Sequence, residues 1–369
     1  MRSTNRDIAN RAAGAVLGGF VGEALGVGTH WYYDLAELRR DHGEWVSGYT
    51  TPLPGRYHDG LVAGQLSQAG IIAAHLLDTI LECGGYDEAA FTARLDQKLF
   101  PAVDGVPVHG PGGYTSQSIR QAWRRRVVDG RPWGEVAGHA DTTEAAERIF
   151  VLAVLYAADP TRAAQTSRDN ARLTQNDTTI VAMTTAFACV AAALVRGDTL
   201  DGGTGRRLLD LVKRGRLPFH AITSDGSRPP SGENAEGDIG ANFPSPDALI
   251  GVGAAAGAAL DPAIRIEPAW KVAQVYGLPC AAYFQFPTAY YLAARFSQDF
   301  EAAVLNAING GGQNQARAML TGALVGAQVG IDRIPRRFID GLERGAELEA
   351  KARSLGALAA GEKVGDVAA

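Results

Sequence analysis

The sequence has few cysteines, little net charge and no convincing membrane span. Its three cysteines, Cys83, Cys189 and Cys280, lack metal-ligand spacing, so we expect free thiols in a reducing cytoplasm rather than a disulfide framework. The net charge of -5 gives no electrostatic case for binding nucleic acid or an anionic membrane. No apolar run is convincing at the roughly 18 residues that a membrane span needs, and the N-terminus lacks the apolar core of a signal peptide. These absences predict a soluble cytoplasmic protein.

Apolar residues are plentiful and recur at helical spacing. Hydrophobic residues make up 46% of the 369 residues, enough for a sizeable core. The spacing predicts helices over 7–27, 87–100 and 300–308, among others. No run alternates with the period of two that indicates a strand. We therefore predict one all-α domain over residues 1–369, with a surface loop or lid near 223–246.

Several helix boundaries carry explicit signals. Asp141 followed by Glu144 has the spacing of a capping box, which predicts a helix over 140–156 with Asp141 as its N-cap. Asp177 is a natural cap for the Ala-rich helix that follows it. The last predicted helix covers 335–358.

The stretch over 309–330 joins polar residues to a small-residue helix. Three glycines are followed by polar side chains and then by Gly and Ala at spacings of three and four. Gly in a helix interior costs about 0.5–1 kcal/mol relative to Ala, so close packing of another helix is the expected gain. This pattern predicts a polar cluster at the mouth of a tightly packed core. The alternative is an ordinary packed helix with a capped start.

Read in order, these segments resemble the ADP-ribosylglycohydrolase family over most of the chain. Family members begin with an apolar helix leading to Gly-Asp-Ala-Leu-Gly, which is Gly-Glu-Ala-Leu-Gly at 22–26 here. They end with Gly-Gly-Asp-x-Asp-Thr and a small-residue helix, which here is Gly-Gly-Gln-Asn-Gln-Ala at 311–316 and the helix behind it. The resemblance implies the family's compact orthogonal bundle of helices.

The resemblance is closer to the branch that contains J1-type crystallins and their bacterial relatives. It rests on the motifs His-Trp-Tyr-Tyr-Asp at 30–34, Tyr-His at 57–58 and Asp-Thr-Thr-Glu at 141–144. Gly311 and Gly312, with Asn314 and Arg317, also match this branch.

The departures from the family concern its metal site. In the family's hydrolases a Thr-Asp-Asp-Thr run and the two Asp of the closing motif hold a pair of Mg²⁺ ions. Here the corresponding positions are 64–67, Gln313 and Gln315. Neutral carboxamides do not supply the charge that holds Mg²⁺. The comparison of residues therefore implies no metal and no other cofactor.

The residues gathered by the resemblance suggest a small-molecule site. A carboxylate would activate water as a general base, and a histidine would protonate the departing group. The candidate catalytic residues are His58, Asp59, Glu23 and Asp141. The candidate ligand-binding residues are His30, Trp31, Gln65, Gly311, Gly312, Gln313, Asn314, Gln315 and Arg317, the last as a bidentate partner for phosphate or carboxylate.

Each candidate also has a purely structural explanation. Asp141 with Glu144 can be a helix cap, and Glu23 can pair with a cation inside the bundle. His30 can be a core histidine that donates to a carbonyl. Arg317 can satisfy carbonyl groups at a neighbouring helix end.

Three functions stay open at this level. The first is a metal-independent hydrolase of a C–N or N-glycosidic bond in a small nucleoside-like or amide-like metabolite. The second is a ligand-binding or structural protein without catalysis. The third is an ADP-ribosyl hydrolase with an altered metal site. An oligomer is compatible with each of them.

Overall fold

The chain folds as an all-α protein, as predicted. The computed structural model describes residues 4–219 and 247–362, and within these ranges it contains helices and three isolated β-bridges but no strand. The predicted lid at 223–246 lies outside the described residues. The α-helices are α1 (Asn5–Val27), α2 (Leu35–His42), α3 (Gln68–Cys83), α4 (Glu88–Arg94), α5 (Gln117–Trp123), α6 (Ala146–Leu155), α7 (Pro160–Arg172), α8 (Thr178–Val195), α9 (Thr204–Lys213), α10 (Asp247–Leu260), α11 (Val272–Tyr276), α12 (Ala282–Arg295), α13 (Phe300–Ile308), α14 (Asn314–Val329), α15 (Arg336–Gly341) and α16 (Gly345–Ala359).

The pairing of α1 with α14 is the central contact of the bundle. The two helices pack along their length, and glycines on one approach the backbone of the other every four residues. A Cβ atom added to Gly18 would lie 2.3 Å from the carbonyl oxygen of Gly322, and one added to Gly326 would lie 2.0 Å from that of Gly14. The prediction that another helix lies very close to the small-residue face is confirmed.

The predicted capping box at Asp141 is wrong. Helix α6 begins at Ala146, and the preceding residues are held by tertiary contacts instead. The carbonyl of Asp141 accepts the backbone N–H of Ala282 at 2.7 Å. Glu144 accepts the backbone N–H of Ser118 at 2.8 Å and so binds the first turn of α5 rather than its own helix.

Two other boundaries bear on the predictions. Asp177 caps α8 as predicted, accepting the backbone N–H of Ile180 at 2.9 Å. The single helix predicted over 335–358 is wrong, because the chain breaks into α15 and α16. Arg344 has a positive φ of 56° at the break, and a Cβ at Gly345 would lie 1.9 Å from the carbonyl oxygen of Ile339. The close approach at Gly345 requires a residue without a side chain.

Helix α8 is the one described helix that is long and apolar enough to cross a membrane by length and composition alone. In the bundle 83% of that helix is buried, as is usual for a core helix. The three cysteines are free thiols, as predicted, and Cys189 is buried in α8.

Candidate active site

A cleft opens where the α1–α14 pair ends. Helix α1 ends at Val27 and the chain continues through His30 and Trp31, while α14 begins immediately after Gln313. The cleft has a volume of about 180 Å³. Side chains from seven separate segments line it: His30, Trp31, His58, Ser67, Gln68, Ala69, Ile72, Tyr114, Ser116, Gln117, Ile119, Arg120, Thr142, Glu144, Glu147, Cys280, Gln313 and Gln315.

Two buried carboxyl groups meet at the amide of Gln315. Its Nε2 lies 3.3 Å from Oε1 of Glu23 and 3.4 Å from Oε2 of Glu147. Glu23 also accepts the backbone N–H of Ser67 at 3.0 Å and the hydroxyl of the same residue. Glu147 accepts the hydroxyl of Thr143 at 2.8 Å. The close packing of Gly26 on Gln315 sets the distance between α1 and α14 at this point.

Burial raises the pKa of both carboxyl groups above the ordinary value of a glutamate. Burial raises the pKa of Glu23 to about 8, against which the hydrogen bonds from Ser67 act. Burial, aided by the charge of Glu144, raises the pKa of Glu147 to about 7, although the hydrogen bond from Thr143 lowers it. Oε2 of Glu23 is buried without a hydrogen-bond partner, which an uncharged carboxyl group tolerates better than a carboxylate. The pKa of Glu147, the buried carboxyl group that lines the cleft, therefore lies near neutral pH.

A chain of polar contacts runs along the other part of the cleft. Nδ1 of His58 lies 2.7 Å from the carbonyl oxygen of Gly112, and its Nε2 lies 2.6 Å from Nδ1 of His30. Nε2 of His30 lies 3.0 Å from Oε1 of Gln313, which also accepts the indole N–H of Trp31. Burial lowers the pKa of both histidines, that of His58 to about 4.

Aromatic rings cover this polar chain at the mouth of the cleft. The ring centroids of Trp31 and Tyr57 are 3.9 Å apart, and those of Tyr57 and Tyr114 are 5.2 Å apart. Trp31 and His58 have φ values of 66° and 65°, in the left-handed region that residues other than Gly adopt uncommonly and bulky ones such as Trp least of all. Each such residue costs of order 1–3 kcal/mol, and such strain concentrates at functional sites.

Five of the residues predicted from sequence line the cleft: His30, Trp31, His58, Gln313 and Gln315. Glu23 does not line it but contacts the cleft through Gln315 and Ser67.

Three predicted residues lie elsewhere. Asp59 is exposed and accepts the backbone N–H of Gly55 at 2.8 Å, so it stabilises its own turn. Asp141 is exposed and accepts the hydroxyl of Tyr283 at 3.3 Å. Gln65 donates to Glu343 at 2.9 Å, outside the cleft.

The remaining predicted residues support the start of α14. Arg317 is fully buried and donates to the carbonyls of Ala307 and Gly311, which is the structural alternative raised for it; burial lowers its pKa to about 9. Gly311 and Gly312 have φ values of 71° and 62°, and Gly312 pairs with Tyr32. Asn314 is buried and donates to Thr29 at 2.6 Å.

Sequence reasoning missed Glu147 and Tyr114. Glu147 stands next to Arg148 at the start of a helix whose other residues are apolar, and these two adjacent charges were the available signal. Nothing in the local sequence marks Tyr114 as a cleft residue, because only the tertiary fold brings it to Tyr57.

At the positions that hold the Mg²⁺ pair in the family's hydrolases, this chain has carboxamides that already make contacts within the protein. Gln315 directs a hydrogen-bond donor, not an oxygen, at its two carboxyl neighbours. Oε1 of Gln313 already accepts from Trp31. Within residues 4–219 and 247–362, no group of three His, Cys, Asp or Glu residues could hold a metal ion. A hard cation needs several anionic oxygens, and the family positions supply none.

Comparison with known proteins identifies the relatives of this fold. A family model described as ADP-ribosylglycohydrolase matches residues 4–365. A solved structure titled "ADP-ribosylglycohydrolase-related protein complex" superposes with a TM-score of 0.60 at 20% identity, covering 96% of this chain and 99% of the other. No curated protein sequence gives a significant match.

Proposed function

This chain belongs to the ADP-ribosylglycohydrolase family, and we propose that it is a metal-independent hydrolase of a C–N or N-glycosidic bond in a small nucleoside-like or amide-like metabolite. The observation that carries this proposal is the presence of a buried carboxyl group, Glu147, in the same cleft as the His30–His58 pair. Gln313 contacts His30, and Gln315 contacts both buried carboxyl groups, so the start of α14 holds the histidine pair and the carboxyl groups in one place.

The proposed reaction uses Glu147 as the general base. Its carboxylate takes a proton from water, and the water oxygen attacks the carbon of the scissile bond. The C–N bond breaks with its electron pair on nitrogen, and that nitrogen takes a proton from a ring N–H of the His30–His58 pair. General acid and base groups each contribute about 10²- to 10⁴-fold. A pKa of about 7 suits Glu147 for this role at neutral pH.

The remaining cleft residues would bind and orient the ligand. Trp31, Tyr57 and Tyr114 present aromatic surface at the mouth, which suits a planar or nucleoside-like group. Glu23 is a positioning residue, because it acts on the cleft through Gln315. We propose that the protein works in the cytoplasm on a small molecule, without a cofactor.

The test is a Glu147→Gln variant assayed on a panel of nucleosides, ADP-ribosyl N-glycosides and small amides. We expect kcat to fall by about 10²-fold or more, because the amide cannot accept a proton from water. The control is Glu135→Gln, which changes an exposed carboxylate outside the cleft and should leave kcat unchanged. Unchanged turnover in Glu147→Gln would refute the assignment of the base.

A second candidate is a non-catalytic ligand-binding or structural protein, as in the J1-crystallin branch that the sequence resembles. The carboxamides at Gln313 and Gln315 favour it, because they replace carboxylates of the family's catalytic site. Binding of a compound from the panel without turnover would support this candidate.

A further inference from the structure

The contacts of the His30–His58 pair allow its protons to be counted. Three contacts join four ring nitrogens to two oxygen atoms: Gly112 O to His58, His58 to His30, and His30 to Gln313. The ring planes differ by only 16°, and nitrogens of stacked rings would not approach to 2.6 Å, so the two rings meet edge to edge. Each of the three contacts has the length of a hydrogen bond.

The groups at both ends of this series of hydrogen bonds can only be acceptors. The carbonyl oxygen of Gly112 has no hydrogen, so Nδ1 of His58 must donate to it. The indole nitrogen of Trp31 is a donor only, so the Gln313 atom that it contacts must be the amide oxygen. Nε2 of His30 faces that same oxygen and must also donate.

Three hydrogen bonds between two acceptor ends require three hydrogens on four ring nitrogens. Two neutral imidazoles carry only two. We propose that the His30–His58 pair binds three ring protons, sharing one positive charge, and that Trp31 is the positioning residue that imposes this count by fixing the amide of Gln313.

Burial and a nearby positive charge disfavour this third proton, although the three hydrogen bonds still require it. Burial and the buried guanidinium of Arg317 disfavour a charge on His30, and burial also disfavours one on His58. The rings of Trp31, Tyr57 and Tyr114 face the pair. The charged or titratable groups that line the same cleft include Arg120, Glu144 and Glu147. The third proton is therefore bound on the acidic side of an ordinary histidine, and its release leaves one of the three contacts between two acceptors.

The stored proton gives the pair a role that rests on the proposed function. In those molecules in which Glu147 is ionised while the pair still holds three hydrogens, the departing nitrogen would take this proton. The pair would then return to two hydrogens, and its charge would fall from +1 to zero. The pair would also carry three ring hydrogens in a protein that binds a ligand without turnover, because their number follows from the contacts of the ligand-free cleft.

The test follows the ring nitrogens of His30 and His58 by ¹⁵N NMR as a function of pH in the ligand-free protein. In Trp31→Phe the amide of Gln313 is free to turn and donate to Nε2 of His30, so two hydrogens on the pair then satisfy all contacts. We expect the midpoint for the third proton to fall by about one pH unit or more. In Gln313→Glu the carboxylate accepts from His30, and we expect the midpoint to rise by about one to three pH units.

Tyr57→Phe is the matched control, because the ring of Tyr57 lies beside those of His30 and Trp31 but takes no part in the three hydrogen bonds. It should leave the midpoint unchanged. A wild-type pair that never carries three hydrogens while folded, or equal midpoints in wild type and Gln313→Glu, would overturn the proposal. Gln313→Glu keeps the test decisive if Trp31→Phe does not fold. The readout needs no turnover, so its failure is distinct from failure of the proposed hydrolase.

Discussion

At the scale of single residues, Glu23 shows how the fold sets the charge of the site. It is fully buried, accepts from Ser67 and Gln315, and leaves Oε2 without a partner. Burial therefore outweighs the hydrogen bonds, and the pKa rises to about 8. The folded protein holds a proton here that the unfolded chain loses above its ordinary pKa of 4.5.

This difference makes stability depend on pH with a defined sign. The contribution of Glu23 is complete below pH 4.5 and is lost as pH rises through about 8. The lowered pKa values of the histidines act in the opposite sense, but their effect is complete near pH 6.5. From pH 6.5 to 8 we expect the free energy of unfolding to fall, by up to about 1.4 kcal/mol per pH unit for each proton.

A Glu23→Gln variant should flatten that slope, because its amide does not titrate. Urea unfolding at a series of pH values measures it, with Glu135→Gln as the control that keeps the wild-type slope. A Glu23→Gln protein with the same slope as wild type would show that Glu23 does not hold the proton.

At the scale of elements, the α1–α14 pair brings the two sides of the site together. Its glycines lie in backbone contact from Gly14 to Gly26, and the last of these contacts is with Gln315. One turn from that contact, Glu23 meets the Gln315 amide. The helix pair is therefore both the centre of the core and the frame of the cleft.

Replacing Gly18 by Ala should destabilise the fold. The added methyl would lie 2.3 Å from the carbonyl oxygen of Gly322, and overpacking of a tight interface costs about 1–3 kcal/mol. Gly251→Ala is the control in helix α10, because a Cβ there meets nothing within 4 Å. It should be neutral or stabilising by up to about 1 kcal/mol, since Ala is the better helix former. Chemical denaturation measures the free energy of unfolding of both variants. An equal change in Gly18→Ala and Gly251→Ala would contradict the backbone contact at Gly18.

The helices and their tight packing were predictable where the signal is local. The spacing of glycines around Gly322 and Gly326 predicts a close helix partner, and Asp177 predicts a cap. The spacing at Asp141 and Glu144 was misleading because Glu144 binds the start of α5, far away in sequence. The break near Gly345 depends on a tertiary contact that no local pattern encodes.

At the scale of the whole molecule, the fold brings residues from distant parts of the chain together to form the site. His30, His58, Glu147 and Gln313 come from four separate segments and meet in one cleft. The sequence, through its family resemblance, predicted three of these residues. It did not predict Glu147, and it included Asp59 and Asp141, which the fold leaves exposed outside the cleft. Whether such a residue lies in the cleft depends on how segments far apart in sequence pack together, which local sequence patterns do not encode.

The most direct test of metal-independent hydrolysis is turnover of a substrate from the panel by chelator-treated protein, before and after addition of Mg²⁺. Because Gln315 places an amide donor between the two carboxyl groups, we expect the same kcat in both conditions. Loss of turnover on chelation and its recovery with Mg²⁺ would contradict the account and would mean that other groups rebuild the family's metal site.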